Sequence, residues 1–118
     1  MQGREPRTFP RFTARGMQKF MVYIIAYLTA HAGKGDEIVA LTKPLIDATR
    51  KEAGCVSYEL YRKPTDPDAL VFVESWKDRA AIDAHFAEPH LKAFQTAAAN
   101  LLANARVEIV HPEKVEVV

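Results

Sequence analysis

The sequence predicts an α+β domain of the ferredoxin-like split βαβ class, with element order βαββαβ. Three observations point there. Stretches near the two ends, MVYIIAYL (21–28) and RVEIVHPEKVEVV (106–118), are rich in strand formers. Two more, CVSYELYR (55–62) and ALVFVESW (69–76), are separated by the proline-bearing turn KPTDPD. Between these lie two regions whose apolar residues recur at helical spacing. A four-stranded antiparallel sheet with helices on one face follows from that order.

The first strand is expected at Met21–Ala30, too short an apolar run to span a bilayer and with no cleavage site behind it. AGKGD then turns the chain, with Asp36 expected as the helix cap. Ile38, Leu41, Leu45, Ile46 and Thr49 mark the first helix, and Pro44 is expected to kink or split it. Gly54, after the charged turn at 50–52, reads as a helix-ending glycine. In the hairpin that follows, Pro64 and Pro67 are expected to keep the turn out of the strands. Asp78 starts a short helix with Ala81, Ile82, His85 and Phe86 on one side. Pro89 suits the first turn of a second helix, striped by Leu91, Phe94, Ala98, Leu101 and Leu102. Residues 106–118 alternate as a closing strand, interrupted at Pro112.

The 118 residues are enough for one domain with its own core. Residues 1–16 read as an N-terminal tail and 17–118 as the domain. The tail carries Arg4, Arg7, Arg11 and Arg15 against Glu5, so the remainder of this chain of net charge +1 is weakly acidic. Such a body offers no electrostatic footprint for nucleic acid. The single cysteine, Cys55, excludes an internal disulfide and fits a cytoplasmic location. One sheet face is left without a helical cover, and a second copy of the chain is its natural cover, so a homodimer is expected.

Several side chains carry candidate chemistry. His85 and His90 flank Pro89; on a continuous helix their five-residue spacing puts them about 140° apart, unlike a metal-binding i,i+4 pair. The break at Pro89 leaves room for a third ligand such as Glu88 or Glu74, but no metal site is expected. His85 shares a helix face with Ile82 and Phe86 and should point inward, as a core-edge histidine or as an acid–base group. An imidazole ordinarily titrates near pH ~6.5 and accepts a phenolic proton near neutrality. His90 reads equally as an exposed helix-start residue or a pocket residue. Glu74 and Trp76, two apart on a strand, share one face. The carboxylate needs a partner, either a group it orients or an arginine such as Arg62; the indole is either core or a wall for a flat substrate. Tyr58 is either a hydrogen-bonding group for substrate oxygen or a packing residue at a dimer seam. Phe86 reads as core or cavity lining. Cys55 follows a helix end with no base beside it and is not read as a nucleophile. GKG at 33–35 is too short for a phosphate loop.

Three segments in order, Gly54-Cys55-Val56-Ser57-Tyr58-Glu59-Leu60, Phe72-Val73-Glu74-Ser75-Trp76 and Ala84-His85-Phe86-Ala87-Glu88-Pro89-His90-Leu91, resemble the successive signatures of the antibiotic biosynthesis monooxygenase family. Within it the likeness is to small quinol monooxygenases and covers about residues 20–112. The resemblance implies pairing as a dimeric α+β barrel, a pocket between helices and sheet in each subunit, and oxygenation of a quinol or polyphenol by O2 with no metal or flavin cofactor. It makes His85 the first choice as catalytic acid–base residue; Tyr58, Glu74, Trp76, Phe86 and His90 are the candidate substrate-binding residues beside it, each with the structural alternative given above. Haem-degrading relatives use an asparagine, a tryptophan and a histidine where this chain places Leu28, Phe86 (or His85) and Thr96, so haem degradation is not implied. Two alternatives stay open. One is an isomerase of a small phosphorylated sugar-like metabolite, which would need a basic anchor such as Arg62 or Lys92. The other is a non-enzymatic dimeric binder of aromatic metabolites.

Overall fold

The computed structural model describes residues 21–118; the tail assigned to residues 1–16 lies outside them. The elements are β1 (Val22–Ala30), α1 (Gly35–Thr49), β2 (Cys55–Lys63), β3 (Asp66–Trp76), α2 (Arg79–Phe86), α3 (Pro89–Ala98) and β4 (Leu102–Val110). The strands form one antiparallel sheet in the order β2-β3-β1-β4, the ferredoxin-like arrangement.

Strand alternation decides where the core sits. Val22, Ile24, Ala26, Leu28 and Ala30 of β1 are buried under the helices, as are Leu70, Phe72, Glu74 and Trp76 of β3, to which register pairs them. On the opposite face Tyr27, Tyr61 and Val73 are exposed. Val107 of β4 pairs with Ala26 and so lies on the helix face, yet it is 54 % exposed. The helical layer therefore leaves β4 partly uncovered, and the interior opens along that side.

Two expected helix starts hold. The Asp78 carboxylate accepts from the Ala81 N–H at 2.8 Å, and Pro89 occupies the first turn of α3. Asp36, however, does not cap α1; the helix begins at Gly35, and Asp36 instead binds Arg62 at 2.8 Å. The free N–H groups there are met from β3, where Asp68 accepts from Gly33 at 3.0 Å and from Gly35 at 2.8 Å. These two bonds hold the Asp68 carboxyl below its ordinary range. Gly33 has φ +82°, which accounts for the first glycine of GKG.

Pro44 does not split α1, which runs unbroken from Gly35 to Thr49. Both Pro44 and Ala40 are exposed, so water can satisfy the carbonyl that the proline leaves unpaired. Pro67 lies inside β3, contrary to expectation, because β1 pairing begins only at Ala69 and the proline needs no donor on that side. Leu101 and Leu102 do not extend α3: the Leu101 carbonyl accepts from His31 N–H at 2.8 Å and Leu102 pairs with Ala30 in the sheet. The closing strand ends at Val110, and residues 111–118 are not in a strand.

Gly54 is not a helix cap either, since α1 ends at Thr49 and Gly54 has no positive φ. It is needed for close approach: a Cβ there would lie 2.3 Å from the Cβ of Ala81, where α2 crosses the start of β2. Gly54→Ala is therefore expected to destabilise the protein by about 1–3 kcal/mol in chemical denaturation, the usual range for overpacking. Adding Ala81→Gly should recover part of that loss; a double variant no more stable than Gly54→Ala alone would contradict the contact.

Candidate active site

The cavity between helices and sheet has a volume of about 180 Å3. Its floor is Ile24, Ala26 and Leu28 of β1 with Phe72 of β3; Leu91 and Phe94 of α3 form the roof, and Val107 lies towards the open side. Three groups with ionisable protons reach this apolar wall: Tyr58 from β2, Glu74 from β3 and His85 from α2. Tyr58 and Glu74 are register partners, so the sheet itself sets them side by side. Phe86 also lines the cavity and is 40 % exposed, at its rim rather than in the core.

Trp76 is fully buried and does not line the cavity. Its ring lies behind His85 at 4.6 Å between centroids, and its Nε1–H donates to Glu74 Oε1 at 2.9 Å. That bond answers the question of what Glu74 partners; Arg62 is engaged with Asp36 instead. The indole is thus a brace for two cavity groups, and of its two readings, core or substrate wall, its burial fits the core. His90 does not line the cavity either.

His90 meets His85 through a residue that the motifs do not include. Glu52, in the turn after α1, places its Oε2 2.9 Å from His85 Nδ1 and 2.6 Å from His90 Nε2. The five-residue spacing that separates the histidines on an ideal helix is overridden because α2 ends at Phe86 and α3 starts at Pro89. The third member is Glu52, not Glu88 or Glu74; its signal in the sequence is only an acidic residue two positions before Gly54. His85 is 2 % exposed at its side chain, Glu52 10 % and His90 20 %. His31 and His111 are exposed and lie elsewhere.

The ligand atoms of Glu52, His85 and His90 lie within 4.8 Å of one another, the one such histidine–carboxylate group among the described residues. Their two short contacts have hydrogen-bond lengths. Ligands at ~2.1 Å around a tetrahedral ion stand about 3.4 Å apart, so an ion there would require Glu52 to withdraw from both rings.

Electrostatics separates the cavity groups. Burial pushes the Glu74 carboxyl up to about 7, against the stabilising Trp76 bond and with help from the Glu52 charge. Burial, and next the Glu74 charge, push the Tyr58 phenol upward, so it stays a neutral donor. Burial likewise raises the Cys55 thiol to about 11, with Glu52 and Glu74 adding, which leaves no thiolate near neutrality. For Glu74 the folded state keeps its proton between pH 4.5 and about 7 while the unfolded chain loses it. Stability from this residue is therefore complete below 4.5 and lost as pH rises through about 7. Glu74→Gln is expected to gain on the parent protein across that window by up to about 3 kcal/mol in denaturant titrations, and a pH-independent difference would contradict the buried acid.

Comparison with known proteins agrees with this architecture. The family model described as antibiotic biosynthesis monooxygenase matches residues 21–97, well over half the chain. The protein sll1783 of Synechocystis sp. is 39 % identical over 70 residues, which are 59 % of this chain and 48 % of that protein. The chain thus spans about half the length of that relative. YgiN of Escherichia coli, named as a probable quinol monooxygenase, is 24 % identical over 102 residues, covering 78 % of this chain and 98 % of YgiN. A crystal structure titled antibiotic biosynthesis monooxygenase superposes with a TM-score of 0.71 at 29 % identity, covering 75 % of this chain and 95 % of that one. With the motifs at 54–60, 72–76 and 84–91 lying on β2, β3 and the α2–α3 break, the chain belongs to the antibiotic biosynthesis monooxygenase family.

Proposed function

We propose that this protein is a cofactor-independent monooxygenase that oxidises a quinol or polyphenolic aromatic with O2. The observation that carries the reading is the apolar cavity of about 180 Å3 on whose wall His85, Glu74 and Tyr58 converge. An apolar cavity of about 150 Å3 holds one benzene ring, so this one suits a one- or two-ring substrate. His85 accepts a ring hydroxyl proton, and the resulting phenolate passes an electron to O2. The radical pair joins at a ring carbon, and the peroxide oxygen takes a proton back. Loss of the ring C–H proton and of hydroxide from the peroxide then leaves a new carbonyl and water. The balance is quinol plus O2 giving hydroxyquinone plus water, with the substrate as sole reductant. Tyr58 and protonated Glu74 serve as hydrogen-bond donors to the ring oxygens, and Phe86 closes on the flat face from the rim.

Arg62 is bound to Asp36, Lys92 is exposed, and among the described residues no lysine or arginine lines the cavity. An isomerase of a phosphorylated substrate would need such an anchor, so the geometry favours the neutral aromatic. Oxygen uptake with hydroquinones of one, two and three rings tests the reading. Turnover is expected with the smaller two classes, unaffected by EDTA, and His85→Ala should lower it by about 100-fold or more. Tight binding of the panel without oxygen consumption would replace the enzyme by a binder.

The active species in this reading is a homodimer joined through the outer sheet face, where Tyr27, Tyr61, Val73 and Val110 are exposed. The parent chain should sediment at twice the chain mass at micromolar concentration, and Val73→Glu should shift it to the monomer. A parent chain already monomeric there would remove the dimer.

A further inference from the structure

We propose that Glu52 is the positioning residue of this site: with His90 holding it from the solvent side, its carboxylate fixes His85 with the proton on Nδ1 and so presents the Nε2 lone pair to the cavity. The inference rests on His85 being the cavity's base. Neither Glu52 nor His90 lines the cavity, so both act through His85.

The reasoning is one of donors and acceptors. An ionised carboxylate only accepts, so the ring nitrogens 2.9 and 2.6 Å from Glu52 Oε2 must both carry hydrogen towards it. In neutral His85 a proton on Nδ1 leaves Nε2 bare. The ring cannot trade Glu52 for water, because it is 2 % exposed and is flanked by Trp76 at 4.6 Å and Tyr58 at 5.6 Å between centroids. His90 in turn donates Nε2–H to the same oxygen, while its Nδ1 lies 3.8 Å from Glu88 Oε1. When the substrate O–H bond breaks and an Nε2–H bond forms, His85 becomes an imidazolium whose Nδ1–H already faces an anion, and that bond becomes charge-assisted. The proton later returns from Nε2 to the peroxide oxygen, so none need leave the cavity. A buried carboxylate behind a catalytic histidine serves the same end in Ser–His–Asp enzymes.

Imidazole 15N–1H correlation spectra of the ligand-free protein at about pH 8, where free imidazole is neutral, read the tautomer directly. His85 is expected as the Nδ1–H form. In Glu52→Gln the amide can donate to Nδ1, and the proton should move to Nε2. Oxygen uptake with the best hydroquinone should then fall by about 100-fold or more in kcat with KM within about threefold, since a wrong tautomer alone costs about 10,000-fold in a Ser–His–Asp enzyme. His90→Gln retains a donor for Glu52 and should keep kcat within about threefold, whereas His90→Leu should lose tenfold or more. This second pair, at a partly exposed position, carries the test should Glu52→Gln fail to fold. An Nε2–H form in the parent protein, an unchanged tautomer in Glu52→Gln, or equal activity of the two His90 variants would overturn the assignment. The expected tautomer shift with no oxygen uptake from any quinol would instead sink the monooxygenase reading and leave Glu52 as the positioning residue.

Discussion

One carboxylate oxygen holds the business end of this domain together. Glu52 Oε2 joins the turn after α1 to α2 through His85 and to α3 through His90. The helices also pack on one another directly, and this contact adds a polar tie to the layer that covers the cavity. The contact also resolves the chain's most conspicuous local feature, two imidazoles beside a helix break. Pro89 stops α2 and starts α3 in a new direction, and that change of direction lets two histidines on different helices face one acid.

Around this contact the sheet supplies a second polar pair. Glu74 faces the helices because β3 alternates, and it is buried among apolar residues of β1, β2 and β3. A charge there is costly, which raises the carboxyl's proton affinity, and Trp76 moderates the cost through one hydrogen bond. Trp76 does so from a position that also backs His85. The single tryptophan thus contacts two ionisable groups of the cavity wall while touching neither solvent nor cavity. Burial, helped by the nearby Glu52 charge, inclines Glu74 to keep its proton, while Glu52 is anchored by two rings.

The fold was legible in the residues to the level of element order. Alternation in 21–30, the proline-bearing hairpin, and the Asp78 and Pro89 helix starts are local signals, and the backbone obeys them. Where local signals mislead, surroundings in space overrule them: Asp68 caps the first helix from β3 in place of Asp36, Ala81 demands the glycine at 54, and Ala30 draws Leu102 into the sheet, while Pro44 stands on an exposed helix face and Pro67 where β1 pairing has not begun. The face of β2 that carries Tyr58 was equally open, since period-two alternation says which residues share a face and not which face meets the helices.

Sequence by itself determined the family, the strand and helix order, and the residue types from which a site is built, because these depend on periodicity and on motifs spanning a few positions. Tertiary structure alone decided which of those residues meet. It brought Glu52 to His85 across 33 positions, and moved Trp76 behind the wall and His90 off it. The reason is physical: a hydrogen bond, a buried charge or an apolar void is a property of atoms in space, and chain separation carries no record of the angle at which two helices depart from a proline.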